Sequence, residues 1–412
     1  MLEIFSIEGF KSLQSIKELQ MPKMAVLFGP NAAGKSNFLE AVQTLSRIGT
    51  ERTLSEALQY PIRGYPVESF SFPPGGLPDL LSQDYAKFTL DTVVKIEKDR
   101  YKYKVVVRID PKSGSVAVEN EYLASLTTSG AARGRALIEL MEDKIHIRRK
   151  SKPAHPRTEP LGLNHTILSD PRLGGTEYRG IEKCRSELSG WHTYYLDPRT
   201  AMRRAATPAE VQDIGVLGEN IAPFLYRLNA ENPKAFNTVV RTLRTLIPSV
   251  DGLTVDLDKR RGTLDIVVRQ NNIDYSSRII SEGTLRVLAL CAIVVNPWGG
   301  SLLAFEEPEN GVHPRRIELI ADLLSSLVIS QGRQLIVTTH SPLFCSMILK
   351  KARLNPNDIG LFNVQRTRTG TSLTSFDTNG PLFENDEIAK ALSDRGEDGI
   401  FEGLILRGMF DG

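Results

Sequence analysis

Cysteine is scarce. Cys184, Cys291 and Cys345 are the only three in 412 residues, widely spaced and with no C-x-x-C pair. That excludes a disulfide framework and a cysteine-based zinc site. An excess of charge of one sign is also missing. Lys and Arg total 51 against 49 Asp and Glu, a net of +2, so bulk charge selects no partner and only local patches can. No apolar run reaches membrane-spanning length, and the opening MLEIFSIEGFKS lacks a basic region followed by an apolar one. A reduced, cytoplasmic protein with no membrane partner is the expectation. Residues 50–180 carry no heptad pattern over consecutive repeats, which excludes a long coiled-coil arm there. What remains is a globular composition, 41% apolar and 24% charged, in a chain long enough for two domains or one domain with an insertion.

The most informative segment lies near the start. Met24–Phe28 is a short apolar run of strand type, and Gly29-Pro30-Asn31-Ala32-Ala33-Gly34-Lys35-Ser36 follows at once. This matches G-x-x-x-x-G-K-[ST] at every fixed position. Phe38, Leu39, Val42, Leu45 and Ile48 then recur at helical spacing up to Gly49. A strand, a glycine-rich turn and a helix in that order form a P-loop. Its glycines, Gly29 and Gly34, let the backbone around Asn31 turn its N–H groups toward phosphate oxygens, and the helix start adds partial positive charge. Lys35 is placed to reach the β- and γ-phosphates of ATP, and the Ser36 hydroxyl to ligate Mg²⁺. Earlier, Leu2–Ile7 alternates like a strand and turns at Gly9-Phe10-Lys11-Ser12. Lys11 is either a second phosphate contact or a solvated turn lysine.

A second set of motifs lies far downstream. Leu302–Phe305 reads as a buried strand that delivers Glu306 and Glu307 to its C-terminal end, the Walker B arrangement at the edge where open α/β sheets bind ligands. Glu306 is the candidate to hold Mg²⁺ and Glu307 the candidate to orient or deprotonate the attacking water. Pro314 opens a helix carrying Ile317, Ile320, Leu323, Leu324 and Leu327. Gln334–Thr339 is another strand, ending at His340, which is placed to hydrogen-bond the γ-phosphate or the water. His313 has no such position and reads as structural. Upstream, Ile280-Ser281-Glu282-Gly283-Thr284 precedes an apolar helical run, an anion-binding helix start.

Together these parts resemble the ABC-type ATPases, and within them the OLD-like and RecF-like group. The resemblance rests on GPNAAGKS (29–36), ISEGTLR (280–286), LLAFEEPENGVHP (302–314) and IVTTHSP (336–342), in family order, and covers residues 1–48 and roughly 185–376. Trp191–Pro198 and Gly218–Ile221 are similar to that group's linking region. The resemblance implies an α/β fold, a P-loop NTPase of ABC-ATPase type with an inserted α/β subdomain and a helical lobe. It implies a head-to-tail homodimer or higher oligomer in which Ser281 and Gly283 of one subunit contact the γ-phosphate held by Lys35 of the other. Two positions depart from the wider pattern: Glu282 stands where many relatives have glycine, and Glu306 where many have aspartate. Gln59 is the candidate for the family's Q-loop glutamine.

The expected divisions are 1–109 for the N-terminal half of the ATPase lobe, 110–184 for an inserted variable subdomain, 185–376 for the helical lobe and the second ATPase half, and 377–412 for a tail. Lys87–Ile96 with Tyr101–Ile109, Leu253–Leu257 with Leu264–Val268, and Gly360–Arg366 with Ser372–Phe376 read as hairpins. Residues 208–250 read as helical. A basic stretch with Lys144, His146, Arg148, Arg149, Lys150, Lys152, His155 and Arg157 lacks interleaved aromatics, so a solvated loop is the simplest reading and a grip on nucleic-acid phosphates the alternative. OLD-like nucleases carry a Toprim domain after this region. No D-x-D follows residue 340 and little chain remains, so no nuclease is expected in cis. The expected function is an ATP-hydrolysing, nucleotide-driven switch that controls a separately encoded effector, a Toprim-like nuclease among the candidates, in bacterial anti-phage defence. The alternative is a RecF-like ATPase acting on DNA in repair.

Overall fold

Strand β3 (Met24–Phe28) is buried along its whole length, and the chain before and after it lies in a different part of the molecule. The computed structural model describes residues 1–377, so the expected tail lies outside the described residues except for Asp377. These residues form two units. One comprises Met1–Lys23, Gly29–Trp191 and Phe362–Ser375; the other comprises Met24–Phe28, His192–Leu361, Phe376 and Asp377.

The first unit is built on an antiparallel sheet of eight strands. β1 (Leu2–Phe10) and β2 (Leu13–Gln20) are joined at the Lys11-Ser12 turn. β4 (Ala86–Ile96), β5 (Asp99–Ile109) and β6 (Val116–Leu126) follow, then the short strands β7 (Ile138–Met141), β8 (Lys144–Ile147) and β9 (Arg157–Pro160). Their order is β2-β1-β4-β5-β6-β7-β8-β9. Residues 110–184 thus supply four strands to the same sheet as the β4–β5 hairpin. The alternation of β1 buries Leu2, Phe5, Ile7 and Phe10, as period-two patterning requires of a sheet with one face inward. Helix α1 (Lys35–Ile48) packs on that face, with Phe5 and Phe38 edge to face at 5.8 Å. All five residues of its apolar stripe are buried. Shorter helices α2 (Leu54–Ala57) and α3 (Leu77–Ser82) precede β4, and α4 (Arg179–Ser189) ends the unit's main segment.

The second unit has a sheet in the order β10-β14-β15-β3, continued by β16 (Ile359–Thr367), which passes into the first unit and pairs there with β17 (Gly370–Phe376). β10 is Trp191–Tyr194, β14 Leu302–Glu306 and β15 Gln334–Thr339. β14 and β15 run parallel, as do β15 and β3. Continuous apolar runs without alternation suit interior parallel strands covered on both faces. α5 (Ile221–Glu231), α6 (Pro233–Leu246), α7 (Glu282–Val295), α8 (Ile317–Ile329) and α9 (Pro342–Leu354) share one apolar core with these strands. The 208–250 stretch is less helical than its composition suggests. Gly215 and Gly218 adopt φ of 83° and 79°, backbone that breaks a helix, and α5 begins only after them. The predicted 253–268 pair is β11 (Val250–Asp258) and β12 (Thr263–Gln270), extended by a third strand, β13 (Ile273–Ser276). No helix among the described residues is long and apolar enough to cross a membrane.

A buried carboxylate ties the first unit together. Glu121 of β6 has no exposed surface. It accepts hydrogen bonds from Tyr103 Oη at 3.1 Å, Ile167 N at 2.6 Å and Leu168 N at 2.9 Å. The 166–169 turn it holds is bonded in turn to the end of α1, Thr166 Oγ1 donating to Ile48 O at 2.7 Å. Burial pushes the Glu121 carboxyl up to about 7, against the opposing pull of these donors. A carboxyl raised in the folded state stabilises the fold most below its unfolded value near 4.5, and loses that contribution as pH rises through about 7. Urea midpoints of the wild type, compared with Glu121→Gln, should therefore show stability falling by about 1 kcal/mol per pH unit between roughly pH 5 and 7. Parallel pH profiles for the two proteins would remove this role from Glu121.

Candidate active site

The P-loop leaves β3 with no room for side chains at its two glycines. Gly29 has φ 148°, and a Cβ there would stand 2.2 Å from the Val364 carbonyl oxygen. Gly34 has φ 111°, and a Cβ there would stand 2.2 Å from Thr371 Oγ1 and 2.9 Å from Ser12 Oγ. Pro30, Asn31 and Ala32 form the exposed crest, while Lys35 is buried at 6% exposure. Lys35 Nζ folds back across the loop and donates to the carbonyls of Gly29 at 2.8 Å and Pro30 at 2.9 Å. α1 starts at Lys35 with Gly34 as its cap and no side-chain capping bond. The ammonium and the helix start are thus gathered at one concave turn, a combination that suits an anion.

Residues beyond the motif brace the loop. Thr371 Oγ1 donates to Ala33 O at 2.9 Å and shares a hydrogen bond of 2.7 Å with Ser12 Oγ, which accepts from Asn37 Nδ2 at 2.7 Å. Lys11 takes neither of the two expected roles. Its ammonium pairs with buried Glu40 at 2.6 Å and donates to Arg63 O at 2.9 Å, while Arg63 Nε also reaches Glu40 at 2.6 Å. Burial lowers the Lys11 ammonium below its usual range, and Glu40 opposes that shift. Beside these residues lies a cavity of about 390 Å³ lined by Ser12, Asn37, Arg63, Phe72 and Arg366 among others. Gln59 is exposed, its backbone N–H bonded to Glu56 O.

In the second unit the parallel strands bring the other candidates to one edge. Glu306 ends β14 opposite Thr338 of β15, and Thr339 is paired with Phe28 of β3. Glu307 then adopts φ 45°, left-handed backbone that a glutamate enters only when its surroundings fix it. Its N–H donates to Thr338 O at 3.0 Å, and its carboxylate Oε1 lies 2.7 Å from His340 Nδ1. The imidazole and the carboxylate therefore form a pair, with the ring's other nitrogen directed away from that contact. Glu309 is buried, bonded by Thr339 Oγ1, and its Oε2 has no partner. Burial raises its carboxyl above the ordinary range. Arg286 stands in the field of Glu309, Glu282, Glu307 and Asp197, although burial lowers its guanidinium from its usual value.

Ser281 caps α7, accepting from Thr284 N at 3.1 Å, and remains exposed. Gly283 lies against the next loop, where a Cβ would meet Gly311 O at 2.7 Å. Glu282, the departure from glycine in the signature, forms an ion pair with Arg199 at 2.9 Å. His313 is exposed, and its Nδ1 accepts from Arg315 N at 3.2 Å, capping the short turn before α8. Sequence reading did not single out Thr371, Asn37, Arg63 or Arg199. Ser12 was visible as part of the GFKS turn. Thr371 lies 338 residues from the carbonyl it braces, so no spacing could reveal it.

Comparison with known proteins gives the fold and the family. Over 129 residues the chain is 30% identical to the Escherichia coli protein named "Retron Ec83 probable ATPase". The match spans 28% of this chain and only 23% of that relative. Among solved structures, one titled "Crystal structure of the SmcHead bound to the C-winged helix domain of ScpA" superposes over 91% of this chain and 98% of its own, with TM-score 0.53 and 15% identity. That likeness gives the fold, a mixed α/β P-loop NTPase of the ABC type. The family described as "AAA domain, putative AbiEii toxin, Type IV TA system" matches residues 24–346. That span takes in the P-loop, the start of α7, Glu306 and Glu307 at the end of β14, and His340, and the chain belongs to this family.

Proposed function

We propose that the chain binds and hydrolyses ATP and uses the nucleotide state to switch between separate and associated subunits. The observation that carries the catalytic part is the Glu307–His340 pair, a carboxylate held at 2.7 Å by an imidazole at the end of two parallel strands. Lys35 neutralises the β- and γ-phosphates from the turn of Gly29, Asn31 and Gly34. Glu307 accepts the proton of the attacking water, and His340 fixes the direction of that carboxylate, its second nitrogen left to hydrogen-bond the γ-phosphate or the water. The donor set fits magnesium, since a hydroxyl at Ser36 and a carboxylate at Glu306 are the hard oxygen ligands that ion prefers. Those two residues would hold it, and when bound it offsets charge on the phosphates as the terminal group leaves.

Association follows from the signature. Ser281 and Gly283 stand at a helix start where Ser281 is exposed and the one acidic residue of the first turn, Glu282, is engaged by Arg199. We assign them to the γ-phosphate of a second copy. The nucleotide-driven dimer or higher oligomer would then control a separately encoded effector, with a nuclease as the favoured kind and anti-phage defence as the setting. The partial likeness to a retron ATPase supports that setting.

Three variants test this reading. Lys35→Ala should remove the P-loop's share of ATP binding in a folded protein, read as the loss of one site per chain by titration calorimetry; unchanged stoichiometry and affinity would sink the P-loop assignment.

Glu307→Gln should keep ATP binding and slow hydrolysis by roughly 10²–10⁴, the usual worth of a general base. Phosphate release at wild-type rate would transfer the role to another carboxylate, with Glu309 the next to test.

Ser281→Arg should leave folding and ATP binding intact yet block ATP-induced association and hydrolysis, because a bulky cation fills the phosphate-facing gap. Light scattering with and without ATP reads the first effect and phosphate release the second. Association and turnover like wild type would show that the signature does not act across subunits.

A further inference from the structure

The basic stretch from Lys144 to Arg157 is a solvated loop only in its middle, where Lys150, Lys152 and His155 are exposed. Lys144–Ile147 is β8, Arg157 opens β9, and Arg148 between them is only 6% exposed. Arg148 Nη1 donates to Ala136 O at 2.8 Å and Nη2 pairs with Glu139, but its Nε is buried without a partner. The Nε of Arg149 is buried and unpartnered in the same way. Buried cationic donors without acceptors are unfavourable. The two residues follow one another and both line one cavity, where their cationic charge is only partly matched by the chain's own acceptors.

The cavity has a volume of about 540 Å³, within the range of small-molecule sites. Arg135, Arg149, Lys150 and Arg179 line it, none in a direct ion pair among the described residues, although Arg149 and Lys150 act on the Glu177 carboxylate from a distance. Its two lining carboxylates are already engaged: Asp99 by Lys183 at 3.0 Å, and Glu177 by Ser151 Oγ at 2.6 Å. Helix α4 begins here at Arg179 with no side-chain capping bond, adding the positive end of its dipole. Tyr101, Tyr178, Leu137, Pro153 and Ile181 supply aromatic and apolar lining. A ligand suited to both parts carries several negative charges and a flat, weakly polar body.

We propose that this cavity is a second nucleotide-binding site, taking a nucleoside phosphate separately from the P-loop. The phosphate would lie with Arg149, Arg179 and the start of α4, and the base with the tyrosines. A concave site of this volume fits one nucleotide, whereas a nucleic-acid duplex calls for an extended basic face. The test is equilibrium dialysis of the full chain against labelled ATP, ADP and AMP, with a short single-stranded oligonucleotide assayed in parallel. In Lys35→Ala, which silences the P-loop, one nucleotide per chain should still bind. Adding Arg149→Ala and Arg179→Ala should weaken that binding by roughly tenfold or more per guanidinium, as expected for lost charge-assisted hydrogen bonds. The same two changes with Lys35 intact should leave the P-loop nucleotide in place, so the two sites fail or stand independently. A readout that needs no arginine substitution is photo-crosslinking of Lys35→Ala with an azido-nucleotide, which should label a peptide containing Tyr101 or Tyr178. Absence of nucleotide from Lys35→Ala, label confined to other peptides, binding unmoved by the arginine changes, or retention of the oligonucleotide alone would each overturn the proposal.

Discussion

Lack of space governs the phosphate-facing loop. The Val364 carbonyl and the Thr371 side chain press against the backbone at Gly29 and Gly34, and only a residue without Cβ can pass there. That contact turns a flexible glycine-rich sequence into a rigid one, because β16 and β17 clamp the loop from outside while Lys35 bonds its carbonyls from inside. A preformed cradle loses less entropy on binding than one that must be ordered by its ligand. The glycines supply the permitted backbone angles, but the hairpin that closes on them supplies the shape.

The same division between local and distant causes separates what the sequence revealed from what it hid. GPNAAGKS, the apolar stripe of α1 and the two strands that end at Glu306 and His340 are local patterns, and each stands where the chain's own periodicity put it. The Glu307–His340 pair was half visible. Both residues were named, but their mutual hydrogen bond arises only because β14 and β15 lie side by side. Lys11 misled because its neighbour Glu40 sits on a helix face, and an inward-pointing glutamate cannot be told from a solvated one by spacing. Likewise the strands of residues 116–160 lack a strong motif, and only their successive pairing outward from β5, starting with β6, identifies them as part of the first sheet.

Charged groups inside both units are satisfied in pairs rather than avoided. Glu40 bridges a lysine and an arginine, Glu121 collects a tyrosine and two backbone donors, and Glu307 meets a histidine. Glu309, Arg148 and Arg149 break that habit, each leaving one buried polar atom unmatched.

The placement of β3 bears on how the chain must be made. Its five residues belong to the second unit, and Met24 pairs in register with Leu335. During synthesis from the N-terminus, the first sheet can assemble while this wholly apolar strand waits for β15 to emerge. Until then its hydrogen-bonding edges have no native neighbour, which is the condition under which strands find wrong ones. Closing a pairing of such long range slows folding. Chains cut short before β15 should therefore be prone to clump rather than to persist as a smaller soluble domain, giving the cell a quality check on completeness before any phosphate-binding loop is fixed in place.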